Sequence, residues 1–454
     1  MKNLTPRNIA SACGGSCHHM KDIMDREVTS VVIDSRKAEA GCLFIPIKGD
    51  NNDGHDFISN VMEKGARLTL TERAEAAGEY PYILVKSTND ALLKIAGFYR
   101  RQLAIPVVGI TGSVGKTSTK EVIASVLSVK YKTLKTDGNF NNNIGLPLTI
   151  FRLKDDDEIA VLEMGISHFG EMTELAGTAA PDTMVITNIG TCHLEFLKDR
   201  DGVFRAKTEC FDYVALDGTV VLNGDDDKLR QVKDVHGRAP VFYGMDPSLR
   251  VYAENVKSLG FDGSSCTINI DDRAFDVTIP IPGEHMVMNA LAGAAVGSLY
   301  GLEDEEIRQG IENLKALPGR FNIIKGQHFR IIDDCYNANP MSMKASLGIL
   351  GGEKGRRVAI LGDMGELGAD EAALHREVGD YAGTLGLDEY IIVGKLSQNI
   401  AEGIKASGNE DRIRSFASVE ALLQELPGLL KEGDTVLVKA SHFMHFEEIV
   451  KTLT

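Results

Sequence analysis

The chain has no apolar run approaching the ~18 residues that a membrane-spanning helix needs, and its first fifteen residues hold no apolar block long enough for a signal peptide. A cytoplasmic protein without membrane insertion is therefore expected. Excess positive charge is also missing. Lys and Arg total 49 against 65 Asp and Glu, a net charge of −16, over 454 residues. That balance argues against nucleic acid or an anionic membrane as a general partner. The seven cysteines are odd in number and scattered, so reduced thiols are expected rather than a disulfide framework. The cluster Cys13-Gly14-Gly15-Ser16-Cys17-His18-His19 lacks a second Cys/His pair at zinc spacing and reads as a helix ending at Gly14-Gly15. Repeats and low-complexity linkers are absent.

What the chain does have is Gly109-Ile110-Thr111-Gly112-Ser113-Val114-Gly115-Lys116-Thr117-Ser118. A buried strand, Ile105–Val108, leads into it, and helical apolar spacing over Lys120–Leu127 follows. A glycine-rich loop between strand and helix aims backbone N–H groups and a helix N-terminus at an anion. Lys116 adds a point charge for terminal phosphates, and the Thr117 hydroxyl can ligate Mg²⁺. The pattern is not the general phosphate-loop form, because Ile110 stands where a glycine is usual. The spacing of three in Gly109, Gly112 and Gly115 leaves a dinucleotide turn as a competing reading. That turn, however, does not require the Lys-Thr pair. The loop reads as a nucleoside triphosphate site.

At this length one core is too few. The sequence predicts an α/β protein of three domains: a small N-terminal α/β module (1–102), a central phosphate-loop domain with a parallel sheet and a β-rich insertion (103–317), and a C-terminal doubly-wound, Rossmann-like domain (318–454). Strands are expected at Ser30–Ile33, Cys42–Ile45, Leu68–Leu70 and Tyr82–Val85, with helices at Phe57–Lys64 and Asn89–Gln102. The central domain should carry strands at Ile159–Leu162, Met184–Thr187 (read on to Gly190 before His193) and Thr219–Leu222. Its insertion, roughly Val251–Ile281, shows period-two stretches with turns at Asp262-Gly263 and Asp271-Asp272, and a helix follows Gly283. The last domain should carry strands at Phe329–Asp333, Val358–Leu361, Tyr390–Val393 and Thr435–Val438.

Three polar residues follow where strand ends should be. Glu163 ends the strand Ala160-Val161-Leu162, His193 follows Val185–Gly190, and Lys207 lies on a helix. Ligands of open α/β sheets bind outside the carboxyl ends of strands, and a carboxylate there can ligate Mg²⁺. Singly, each is a weak signal. A glutamate after a strand is ordinarily a solvated loop residue, a lone histidine a surface one, and a helical lysine faces solvent.

Together with the loop, these residues carry a resemblance. Thr-Gly-Ser-x-Gly-Lys-Thr, Leu-Glu-Met-Gly, Thr-Asn-Ile-Gly-x-x-His-Leu-Glu, Ala-Lys-x-Glu, Gly-x-His-x-x-x-Asn and Pro-Gly-Arg follow one another in the order of the Mur ligases. These are the ATP-dependent amide-forming ligases of peptidoglycan precursor synthesis. The resemblance runs from about Asp34 to Glu447. Gly138–Pro147, Asp333–Met343 and Asp53–Phe57 resemble the member that joins D-Ala-D-Ala to a UDP-N-acetylmuramoyl-tripeptide.

The resemblance implies roles residue by residue. Gly112, Ser113, Val114, Gly115, Lys116, Thr117 and Ser118 would cradle ATP phosphates, with Thr117 on Mg²⁺. Glu163 would ligate one metal and His193 a second. Lys207 would be carbamylated by CO₂, turning a cation into a carboxylate-like metal ligand. Asn289 would contact adenine, Arg320 the γ-phosphate, and Asp334 the ribose with Asn337 nearby. Ser35, Arg36, Asn141 and Asn142 would serve the uridine diphosphate substrate. A monomer is expected. The sequence also departs from the family's pattern. Met286 replaces a common asparagine, Asn143 a frequent glutamate, and Lys439-Ala440-Ser441-His442 stands where Lys-Gly-Ser-Arg is usual. A sister Mur or folylpolyglutamate-type amide ligase, or a phosphate-loop ATPase switch without ligase activity, would share parts of this pattern.

Overall fold

Three sheets follow one another along the chain. The computed structural model describes residues 1–49 and 52–454. The first sheet has five strands, in the order Ser16–His18, Tyr82–Leu84, Leu68–Thr71, Leu43–Phe44, Val31–Val32. Only the pairing of Ser16–His18 is antiparallel. The short helix Pro6–Cys13 precedes it and ends on a left-handed Gly14 at φ 67°, as the Gly-Gly pair implies.

The second sheet has nine strands. The phosphate-loop strand, Val107–Thr111, lies inside it between Ile159–Glu163 and Thr183–Ile186, all parallel. Thr133–Lys135 forms one edge beyond Ile159–Glu163. On the other side come Thr219–Asn223 and Val241–Gly244, again parallel. The insertion does not form a separate module. Val251–Ser258, Ser264–Ile270 and Arg273–Ile279 continue this same sheet, the last two by antiparallel hairpins that turn at the two expected places. Their alternating pattern suits a sheet with one covered face, and the parallel core offers an open edge to extend.

The third sheet has six strands in the order Asn322–Lys325, Arg330–Asp333, Thr435–Lys439, Arg357–Gly362, Glu389–Val393, Ile413–Phe416, parallel except for the first pair. Separate apolar clusters cover its two faces, which is the doubly-wound arrangement.

Alternation along the central strands divides their side chains between two cores. Val108, Ile110, Val161 and Val185 face the helices Lys116–Leu127 and Glu284–Leu299. Val107, Leu162, Met184 and Ile186 face the other way, into one cluster shared with Leu4, Ile9, Leu43, Ile83 and Ile95 of the first domain. The first and central domains thus share a continuous core, while the third has its own. Arg100 reinforces the first junction. It is 7% exposed, and its guanidinium donates to the carbonyls of Ala179, Leu103 and Ala180 and to Asp182 Oδ2 at 3.0–3.4 Å.

One expectation is corrected. The strand expected over Val185–Gly190 ends at Ile186, because the next residues turn to bond the phosphate loop instead of a neighbouring strand. Glu163 ends its strand, as expected, and is 1% exposed, so the bland alternative of a solvated loop residue does not hold.

Arg100→Met should leave three buried carbonyls short of a donor. The expected loss is about 2 kcal/mol or more of unfolding free energy, read from the shift in chemical-denaturation midpoint.

Candidate functional site

The carboxyl ends of the central strands carry the loop Gly112–Gly115 into the helix Lys116–Leu127. Gly112 has φ 150°, and a Cβ there would lie 1.9 Å from Thr187 Oγ1. Gly115 caps the helix at φ 83°, in the left-handed region. The loop is fastened to the segment after Ile186. Ser113 N donates to Asn188 O (3.0 Å), Val114 N to Asn188 Oδ1 (3.0 Å), and Asn188 Nδ2 to Val114 O (2.9 Å). Gly190 N donates to Ser113 Oγ at 2.8 Å. Thr-Asn-Ile-Gly therefore acts as a brace for the loop. Lys116 Nζ donates to Gly112 O at 2.9 Å, along the loop's inner side.

Glu163 stands beneath the loop threonine. Thr117 Oγ1 donates to Glu163 Oε1 at 3.2 Å, and Asn141 Nδ2 donates to the same oxygen at 2.8 Å. Glu163 N is held by Thr136 Oγ1 at 3.0 Å. Glu163 Oε2 is buried without a hydrogen-bond partner. The nearest cation, Lys120 Nζ, lies 3.9 Å from it. Sequence reading missed Lys120, because a lysine in Thr-Lys-Glu on a helix gives no sign of burial. It is 1% exposed, and its ammonium reaches Thr136 O (2.7 Å) and Glu121 Oε1 (3.1 Å).

The third domain meets this centre. Arg320 Nη2 donates to Thr117 Oγ1 at 3.2 Å. Glu366 Oε2 lies 2.9 Å from His193 Nδ1, an ion-pair distance without an in-line ring hydrogen bond. The His193 ring holds the Glu366 carboxyl below the usual range. Both residues have left-handed backbones, at φ 52° and 59°, a strain that tends to cluster at functional sites. Between the two domains lies a cleft of about 970 Å³. Ser113–Ser118, Asn141, Asn142, Glu163, His193, Asn289, Arg320, Asp334 and Asn337 line it. Asn289 Oδ1 accepts from Thr119 Oγ1 (2.9 Å), and its amide nitrogen lies 3.2 Å from Met286 Sδ. Asp334 Oδ2 accepts from Lys439 Nζ and Ser346 Oγ, both at 2.5 Å. Asn337 Oδ1 accepts from Ala338 N.

Ser35 and Arg36 are not among the lining residues. The Arg36 fork closes on Asp34 at 2.8–3.2 Å, and this holds the Asp34 carboxyl down at about 2. Asn142 Oδ1 accepts the amides of Ile144 and Gly145, opening the helix Gly145–Ile150.

Lys207 does not face solvent. It is 1% exposed on the helix Arg200–Thr208. Burial, aided by the nearby Lys116 charge, lowers its ammonium to about 8. No carboxylate lies within ion-pair distance of it among the described residues, unlike the buried Lys120 and Lys439. The donors under the loop suit Mg²⁺. A hydroxyl and one unsatisfied carboxylate oxygen leave positions for phosphate oxygens and water. No three His, Cys, Asp or Glu side chains converge as an ion cage among the described residues.

A phosphate loop in one α/β domain, reached by an arginine from a second doubly-wound domain, defines a nucleotide-dependent enzyme whose site lies between domains. Family profiles agree with this class. The Mur ligase middle domain matches residues 110–297, the Mur ligase glutamate ligase domain 319–442, and the Mur ligase family catalytic domain 27–100. The chain belongs to the Mur ligase family. It is 37% identical over 99% of its length to the UDP-N-acetylmuramoyl-tripeptide–D-alanyl-D-alanine ligase of Bacillus subtilis, covering 98% of that protein. A crystal structure of MurF from Acinetobacter baumannii superposes with TM-score 0.91 at 31% identity, covering 99% of this chain and 98% of that one. MurF from Thermotoga maritima in complex with ADP gives 0.83 at 30% identity, covering 93% and 96%.

Lys207→Met should stabilise the protein at pH 7 by on the order of 3 kcal/mol. The folded pKa, about 8, lies below the unfolded value of 10.5. The unfolded chain therefore binds the extra proton between these values. The burden on the native state is full below pH 8 and fades as the pH rises to 10.5. The melting-temperature gap between variant and wild type, in CO₂-free buffer, should close over that window.

Proposed function

We propose that this protein is an ATP-dependent ligase that joins D-Ala-D-Ala to a UDP-N-acetylmuramoyl-tripeptide in peptidoglycan precursor synthesis. The observation that carries it is the convergence on Thr117 of Glu163 from the central domain and Arg320 from the third, within a chain similar over its whole length to ligases of that name. In this reading the peptide carboxylate attacks the γ-phosphate of ATP. The acyl phosphate so formed is taken by the dipeptide amine, and ADP and phosphate leave. Such a phosphoryl transfer needs alignment and charge neutralisation more than covalent help.

The loop amides of Gly112–Ser118 and Lys116 hold the phosphates, and Arg320 meets the transferring group from across the cleft. Thr117 and Glu163 hold Mg²⁺, which neutralises phosphate charge when bound. His193 serves a second ion together with Lys207, once the latter is carbamylated. The burial that lowers Lys207 supports this role, since carbamylation needs the neutral amine. Asn289 lies by the adenine, and Asp334 and Asn337 by the ribose. Asn141 and Asn142 border the muramoyl substrate, with Ser35 and Arg36 at its uridine end. The net charge of −16 fits an enzyme without a nucleic-acid partner. Among the described residues no helix is long and apolar enough to cross a membrane. A monomer acting in the cytoplasm completes the reading.

Phosphate release should require both the nucleotide-linked tripeptide and D-Ala-D-Ala, with the pentapeptide product seen by mass spectrometry. Equal ATP turnover without the dipeptide, or equal use of single amino acids, would sink the assignment. Lys207→Ala should abolish product formation, and short carboxylic acids added to the assay should restore part of it. A lysine with only a packing role would show no such rescue.

A further inference from the structure

Arg320 reaches the phosphate-loop threonine from another domain, yet no carboxylate lies within ion-pair distance of it among the described residues. Something else must fix this long, flexible side chain. The structure shows two restraints. The backbone is clamped on both sides of Arg320 by adjacent acids: Gly319 N donates to Asp333 Oδ2 (2.7 Å) and Phe321 N to Asp334 Oδ1 (3.1 Å). Gly319 and Phe321 both have left-handed backbones, at φ 72° and 52°. Phe321 is 4% exposed in the third domain's core, so the turn cannot easily relax. The side chain rests on an aromatic ring. The guanidinium carbon lies 4.1 Å from the Tyr336 ring centroid, and Tyr336 N donates to Gly319 O at 3.1 Å. His442 stacks on the same Tyr336, with centroids 5.4 Å apart and planes 20° from parallel.

We propose that Tyr336, with His442 stacked against it, is a positioning residue that holds the Arg320 guanidinium in register with the phosphate loop. This rests on the ligase reading only in naming Arg320's target as a terminal phosphate. A cation over a ring face is oriented without being neutralised, so Arg320 keeps its full charge for a phosphate. A carboxylate partner would orient it too, but would compete with the ligand for the same N–H groups. His442 stands where the family commonly has arginine. In this chain that position backs the platform.

The test is a binding cycle, measured by calorimetry as the preference for a non-hydrolysable ATP analogue over ADP in the presence of Mg²⁺. Wild type should prefer the analogue, and Arg320→Ala should lose that preference. Tyr336→Leu should lose about ten-fold of it, while Tyr336→Phe keeps it. The double variant R320A/Y336L should be no worse than R320A, because the ring acts through the arginine. His442→Ala, a surface change, should give a smaller loss in the same direction, and covers the case that Tyr336→Leu does not fold. Losses that multiply in the double variant, an unchanged preference in Tyr336→Leu, or no preference in wild type would each overturn the proposal. Failure of wild type to form the pentapeptide would overturn the ligase reading instead, and the binding cycle would still decide this one.

Discussion

The Thr117 hydroxyl is the point on which the site depends. It donates to Glu163 Oε1 and accepts from Arg320 Nη2, each at 3.2 Å. A hydroxyl has one proton to give and lone pairs to receive, so it can join a carboxylate and a guanidinium that do not touch each other. The strand Ile159–Glu163 brings the acid, the helix Lys116–Leu127 the hydroxyl, and the loop between the second and third sheets the arginine. Each of these elements is fixed elsewhere: the strand by two parallel neighbours, the helix by the core around Val122, Ile123 and Val126, the loop by Asp333 and Asp334. The first domain is fused to the central one through a shared core. The third domain's two cores are built almost wholly from its own residues, with Phe261 of the central insertion packed against one of them, and Arg320 lies at that joint.

Most inner strands were legible in the sequence, though not Val241–Gly244 inside the second sheet, whereas four of the six edge strands were missed. All four inner strands of the third sheet were expected, and both outer ones, Asn322–Lys325 and Ile413–Phe416, were missed. The same holds for Ser16–His18 at the edge of the first sheet and Thr133–Lys135 at the edge of the second. An inner parallel strand is covered on both faces and reads as an unbroken apolar run. An edge strand such as Ser16-Cys17-His18 is half exposed and is defined by its partner, so nothing local marks it. The phosphate loop was legible for the opposite reason. Its glycines are demanded by backbone shape, and at Gly112 by the Thr187 hydroxyl, so a local signature exists.

Buried lysines show where local reading stops. Lys120, Lys207 and Lys439 are each about 1% exposed, yet Lys120 and Lys207 sit in polar stretches that read as surface, and Lys439 reads as the exposed end of a strand. Burial is set by what packs against a residue from distant parts of the chain. Lys439 meets Asp334, and Lys120 meets Glu121 and the Thr136 carbonyl. Burying a charge is costly unless it is paired, and the Lys207 ammonium, with no carboxylate within ion-pair distance among the described residues, is pushed down by burial. The contrast separates the three. Lys120 and Lys439 are buried beside carboxylates, whereas Lys207 is buried without one among the described residues.

The same reasoning orders the departures from the family's pattern. Asn143 donates to Glu174 and ties the segment after the loop to the helix Glu171–Ala179. Its task there is holding rather than chemistry, and an amide does that as a donor where a glutamate could not. Met286 is 2% exposed, and its sulfur faces the amide of Asn289. A thioether is a weak acceptor, so the firmer hydrogen bond of Asn289 is the one its Oδ1 accepts from Thr119. His442 trades a cation for a ring and stacks on Tyr336. All three lie outside the contacts that converge on Thr117, and each acts through a neighbour it packs on or bonds to.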